Sequence, residues 1–131
     1  MSHDNLSLGD HLVSPRTGYD HHGIYIGNNE VIHYSGLSNG FDKGSIEITS
    51  VDEFSQGNGG TIEDDWFAVF SPTERVNRAY EKLGEDSYNI AFNNCEHFVN
   101  WCTYGVKNSP QVNKIISMIG SAILYSQERA A

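Results

Sequence analysis

Gly27-Asn28-Asn29 separates two apolar runs, His22-Gly23-Ile24-Tyr25-Ile26 and Glu30-Val31-Ile32-His33-Tyr34. Glycine and asparagine tolerate positive φ, and a cluster of them between two runs rich in β-branched and aromatic residues signals a tight hairpin. The chain must therefore be built outward from a pair of adjacent antiparallel strands. His11-Leu12-Val13 reads as a short strand before the pair, closed by Pro15. Ile46-Glu47-Ile48-Thr49 alternates and reads as a further strand, and the continuous apolar run Trp66-Phe67-Ala68-Val69-Phe70 as a buried one. The segments from Ser35 to Ser45 and from Gln56 to Gly60 are rich in glycine and read as loops.

Helical signals begin only after these strands. Ser71, Pro72 and Glu74 make a capping box with proline at the first helical position; Val76, Tyr80 and Leu83 follow as a core face, and Gly84 as a stop. Tyr88 to Phe92 leads into a second helix. Asn93 or Asn94 caps it, Glu96 suits its first turn, Phe98, Val99 and Cys102 follow at helical spacing, and Gly105 ends it. Strands first and helices after, with no βαβ unit, predict an α+β domain in which an antiparallel sheet packs against helices.

Beyond Gly105 comes a polar connection with Pro110, then the apolar stretch Ile115–Tyr125. That stretch is too short to span a bilayer, which takes about 20 residues. The spacing of Ile115, Ile119 and Ala122 reads as a terminal helix docked on the domain; the alternative is a stub that touches a membrane surface or a partner.

A chain of 131 residues supports one core. Its formal net charge of −9, from 17 acidic and 8 basic residues, argues against nucleic acid and against an anionic membrane surface. Met1 to Asn5 carries neither a basic residue nor an apolar stretch, so it does not read as a signal peptide. The two cysteines, Cys95 and Cys102, would lie about 10 Å apart on one helix, beyond disulfide reach. Two free thiols fit a reducing, cytoplasmic setting.

Cys95 is the residue best placed for chemistry. At the first turn of a helix its sulfur meets unpaired backbone N–H groups and the positive end of the dipole, and both favour thiolate. Cys102 shares an apolar face with Phe98 and Val99 and reads as core. A cysteine nucleophile needs a base, and the base an orienter. Of the histidines, His3 falls in the terminus, His97 points about 200° away from Cys95 on a helix, and His11 reads as structural or surface. That leaves His21, His22 and His33. Only one of His21 and His22 shares a sheet face with His33. A three-residue loop puts Gly23 opposite His33 and His21 on its face, whereas a two-residue turn puts His22 there. Zinc could use Cys95 with these histidines, but no paired spacing such as C-x-x-C is present, so no metal and no cofactor is expected.

Three blocks carry a resemblance: Tyr19-Asp20-His21-His22-Gly23-Ile24-Tyr25-Ile26-Gly27, then His33, then Asn94-Cys95-Glu96-His97-Phe98-Val99, with Tyr104-Gly105 closing. They resemble the lecithin–retinol acyltransferase-like family, within the NlpC-type, circularly permuted papain-like enzymes. The resemblance implies Cys95 as nucleophile, His21 as general base and His33 as its polar orienter. His22 stands where the family's pattern carries an aromatic residue, so it is kept as the alternative base. Tyr19 is placed to offer a hydroxyl to an oxyanion. The implied activity is transfer of an acyl chain from a glycerophospholipid ester onto the cysteine, then to an amine, an alcohol or water. The implied organisation is a flexible N-terminus (1–8), a catalytic domain (9–105) and a linker with an apolar helical tail (106–131). That tail is the candidate for peripheral membrane contact through 115–125. A peptidase or amidase of the NlpC type, using the same residues, is the alternative enzyme. A non-catalytic binding module of the same fold is the alternative from another class.

Overall fold

The computed structural model describes residues 5–36, 44–86 and 94–105. The readings for His3, the 37–43 part of the glycine-rich loop, the 88–92 lead, the helix cap at Asn93 and the tail from 106 onward lie outside them. The described strands form one antiparallel sheet: β1 (His11–Arg16), β2 (Tyr19–Gly27), β3 (Glu30–Tyr34), β4 (Ile46–Ser50) and β5 (Thr61–Glu63), in the order β4-β3-β2-β1-β5. The helices are α1 (Val51–Ser55), α2 (Pro72–Glu81) and α3 (Asn94–Tyr104). This is the α+β class that the order of signals predicts.

The hairpin combines both expected geometries. Asn28 and Asn29 take left-handed backbone, φ 52° and 59°, so the turn itself holds two residues and Gly27 pairs with Glu30. Tyr25 pairs with Val31, which leaves Ile26 as an extra residue in β2. Gly27, at φ 91°, occupies the position of such a bulge where a Cβ would be strained. The extra residue restores the register of the longer loop: Gly23 lies opposite His33, and His21 shares its face.

The central strands β2 and β3 are buried on both faces, which is why they read as near-continuous apolar runs. One face carries Ile24, Ile32, Tyr34 and Ile46 against Val76 and Ala79 of α2 and Cys95, Phe98, Val99 and Cys102 of α3. The other carries Leu12, Tyr25 and Val31 against Val51 and Phe54 of α1. Each fully buried large side chain contributes about 1.5–3 kcal/mol.

Gly23 is where these layers meet most closely. A Cβ there would fall 2.5 Å from Val31 Cγ1 and 2.9 Å from Phe54 Cε2, because the Phe54 ring fills the space a side chain would take. Gly23→Ala should therefore lower stability by about 1–3 kcal/mol through overpacking, read as a shift of the urea midpoint. An unchanged midpoint would show that Phe54 swings aside freely.

Four expectations are corrected. Strand β1 does not close before Pro15 but runs through it to Arg16. β5 borders β1 only as far as Val13, so one side of Pro15 has no strand neighbour to want its missing N–H. The Trp66–Phe70 run is not a buried strand: it is a turn with Trp66 78% and Val69 67% exposed. The amides of Val69 and Phe70 donate to Thr103 O, at 2.9 and 3.3 Å, so the run is held on one of the end carbonyls of α3. The core face of α2 is Val76 with Ala79, while Tyr80 and Leu83 are exposed by 46% and 38%. Finally, α2 stops at Glu81; the Leu83 amide closes the turn beyond it on Tyr80 O at 3.2 Å, and Gly84 ties that turn to β4 by donating to Ile46 O at 2.8 Å. The capping box at Ser71 and Glu74 forms as read.

Helices α2 and α3 are fastened by Arg78. Its guanidinium lies 4.1 Å from the Phe70 ring centroid and 3.8 Å from that of Trp101, and it donates to Trp101 O through Nε (3.1 Å) and Nη2 (2.9 Å).

Candidate active site

His21 and His33 meet on the α1 side of the sheet. They are diagonal neighbours across β2 and β3, since Gly23 is His33's direct partner. His21 Nε2 and His33 Nδ1 are 2.7 Å apart, with ring centroids at 5.0 Å and planes at 88°. Phe54 packs its ring 5.1 Å from His21 and 6.0 Å from His33, walling the pair on one side. The other nitrogen of His21, Nδ1, is buried with no hydrogen-bond partner among the described residues.

Cys95 lies in the first turn of α3, as read from the sequence. The ladder between β2 and β3 starts at Gly23, so among the described residues no strand pairs with this edge of β2 from Tyr19 to His22. The thiol settles on this edge. It donates to Asp20 O at 3.6 Å and accepts from the backbone N–H of His22, so it straddles the backbone of His21.

The expected thiolate does not survive burial. Desolvation pushes the Cys95 thiol up to about 11, against the opposing pull of the N–H groups of His22, Glu96 and Cys95 itself. Burial likewise holds His33 down to about 4 and His21 lower still, the latter helped by His33, Arg16 and His22. Thiol and imidazoles are thus all neutral near pH 7. Cys102 is fully buried in the apolar cluster, as its spacing implies.

Tyr19 presents its ring edge-on to His21, with centroids 6.4 Å apart. Burial raises its phenol; Arg16 opposes this and Cys95 adds to it, so the three polar groups share one electrostatic neighbourhood. Arg16 was not singled out from the sequence. Its Nη1 donates to Ser14 Oγ (2.8 Å) and Pro15 O (3.1 Å), and its Nη2 to Phe54 O. Burial lowers its pKa, opposed by Tyr19 and Cys95. A cleft of about 350 Å³ opens here, with Arg16, His21, His33, Glu47 and Glu53 in its walls. The available signal was positional: an arginine on a buried strand of a chain poor in basic residues.

His22 faces the other way, toward α2 and α3. Its Nδ1 is 2.7 Å from His11 Nε2, and His11 Nδ1 is 2.9 Å from Asp65 Oδ2. The bulge at Ile26 is what keeps His22 off the His33 face despite the two-residue turn. His11 is buried.

Residues 4–108 match the sequence profile of the family described as Lecithin retinol acyltransferase. The lecithin retinol acyltransferase of Homo sapiens is 32% identical over 138 residues, covering 85% of this chain and 60% of that protein. The one from Mus musculus is 30% identical over 141 residues, with the same shares, 85% and 60%. Phospholipase A and acyltransferase 2 of Homo sapiens is 31% identical over 131 residues, covering 88% of this chain and 81% of the relative. The chain thus spans about 60% of the length of the lecithin retinol acyltransferases it matches. No helix among the described residues is long and apolar enough to cross a membrane.

Proposed function

Because the chain belongs to the lecithin retinol acyltransferase family, we propose that it moves acyl chains from a lipid ester through a thioester on Cys95, as an acyltransferase or acyl hydrolase. One observation carries the reading. His33 Nδ1 occupies His21 Nε2, His21 Nδ1 is buried without a partner among the described residues, and the Cys95 thiol donates to the backbone carbonyl of Asp20, the residue before His21. The tautomer assigned from this network puts the proton on Nε2, donated to His33, and leaves the Nδ1 lone pair as the base.

The proposed path follows from those positions. His21 Nδ1 takes the Cys95 proton as sulfur attacks the ester carbonyl carbon. Since neither partner is charged at rest, proton transfer accompanies attack rather than preceding it. The tetrahedral oxyanion receives hydrogen bonds from the backbone N–H of Cys95 and the hydroxyl of Tyr19. Collapse breaks the ester C–O bond, and the leaving alkoxide takes the proton from His21. An amine, alcohol or water then gives its proton to Nδ1 and attacks the thioester, and Cys95 leaves as thiol. His33 holds the base in its tautomer and stabilises the imidazolium. The acyl donor in this reading is a phospholipid ester, since lecithin and phospholipase A stand in the relatives' names.

Intact-protein mass spectrometry after incubation with short-chain phosphatidylcholine tests this. The parent should gain one hydroxylamine-labile acyl mass or release lysolipid, and Cys95→Ala should do neither. A parent that does neither, or that cleaves peptide amides instead, overturns the lipid reading.

A further inference from the structure

Strands β5, β1 and β2 each place one metal-ligating side chain on the α3 side of the sheet, away from His21 and His33. Glu63 lies directly opposite His11, and Val13, two residues along β1 on the same face, lies opposite His22. One ligand atom from each of His11, His22 and Glu63 falls within 4.8 Å of the others. We propose that His11 Nε2, His22 Nδ1 and a Glu63 carboxylate oxygen bind a zinc-class divalent ion, with Asp65 orienting His11.

The second layer is already in place. Asp65 Oδ2 accepts from His11 Nδ1 at 2.9 Å, which fixes the tautomer that leaves Nε2 a lone pair. Tyr104 in turn donates its hydroxyl to Asp65 Oδ1 at 3.3 Å. With Nε2 of His11 unprotonated, the 2.7 Å contact to His22 uses the single proton on His22 Nδ1. The ion takes that proton's place, and His22 passes to its Nε2–H tautomer.

Two imidazoles and one carboxylate suit zinc rather than calcium or magnesium, which prefer all-oxygen shells. Three protein ligands leave zinc a fourth position for water or substrate, and two of them, His11 and Glu63, line a cleft of about 420 Å³. Asp10, Glu63, Asp64 and Asp65 line it with Arg75 as its single cation, so the approach attracts positive charge.

The test is zinc titration of chelator-stripped protein against a chromophoric competitor. The parent should bind one equivalent. Asp65→Asn should weaken binding about ten- to a hundredfold. Glu63→Gln, on an exposed edge position that folding does not depend on, should weaken it at least tenfold. Cobalt(II) should give visible bands without the charge transfer of thiolate ligation. No saturable binding by the parent, an unchanged affinity in Glu63→Gln, or loss of binding in Cys95→Ala overturns the site.

Discussion

Cys95→Ala should fold and lower acyl transfer by about 10⁴-fold or more, while His21→Ala should lower it by about 10²–10⁴-fold. The two losses differ in origin. Without sulfur no thioester can form, so whatever remains is the cleft's positioning of water. Without the imidazole, sulfur remains, but its proton must leave to solvent from a thiol that burial holds at about 11. Raising the pH should therefore restore part of the His21→Ala activity and none of the Cys95→Ala activity. That difference separates loss of a base from collapse of the fold. His22→Phe alters a side chain on the face of the sheet away from His33 and should change kcat/KM by less than tenfold. A loss there as large as that of His21→Ala would move the base to His22.

Acidification should unfold the protein over a narrow range. Burial holds His22 and His33 to about 4 and His21 lower, against an ordinary 6.5. On lowering the pH the unfolded chain takes up these protons first, so their contribution is intact above 6.5 and is lost as pH falls toward 4. Each histidine contributes a slope of about 1.4 kcal/mol per pH unit inside that window, and three give roughly 4. Typical domain stabilities of about 5–15 kcal/mol are consumed within a few pH units at that slope. Thermal melts by circular dichroism, with a chelator present so that no ion holds His22 neutral, should show Tm dropping steeply below pH 6.5. A Tm that stays flat through pH 5 would mean that the imidazoles are solvated, contrary to their burial.

What the sequence made legible was local. The Asn28-Asn29 turn, the Ser71–Glu74 capping box and the end of α3 before Gly105 are each decided within a few residues, and each forms where read. The α+β class followed from their order. What stayed illegible depends on partners distant in sequence. Trp66–Phe70 has the composition of a buried strand, yet the amides of Val69 and Phe70 go to Thr103 and that of Ala68 to Asp65. Tyr80 and Leu83 have the spacing of a core stripe, but Val76 and Ala79 are the residues that meet α3. The charge state of Cys95 could not be read from helix position, because the cost of burial exceeds the benefit of three N–H donors. Arg16 entered the site only through β1 lying beside β2.

The lone extra residue in the hairpin, Ile26, sets a phase. Strand side chains alternate with a period of two, so each residue between the turn and the histidine pair inverts which histidine looks toward His33. The bulge is a half-period offset, and with it the division of labour is decided: His21 toward the cleft, His22 toward Asp65 by way of His11. Were Ile26 paired with Val31 instead of bulged, every residue behind it would slip by one, Ile24 would face His33, and the two histidines would exchange sides without either being altered.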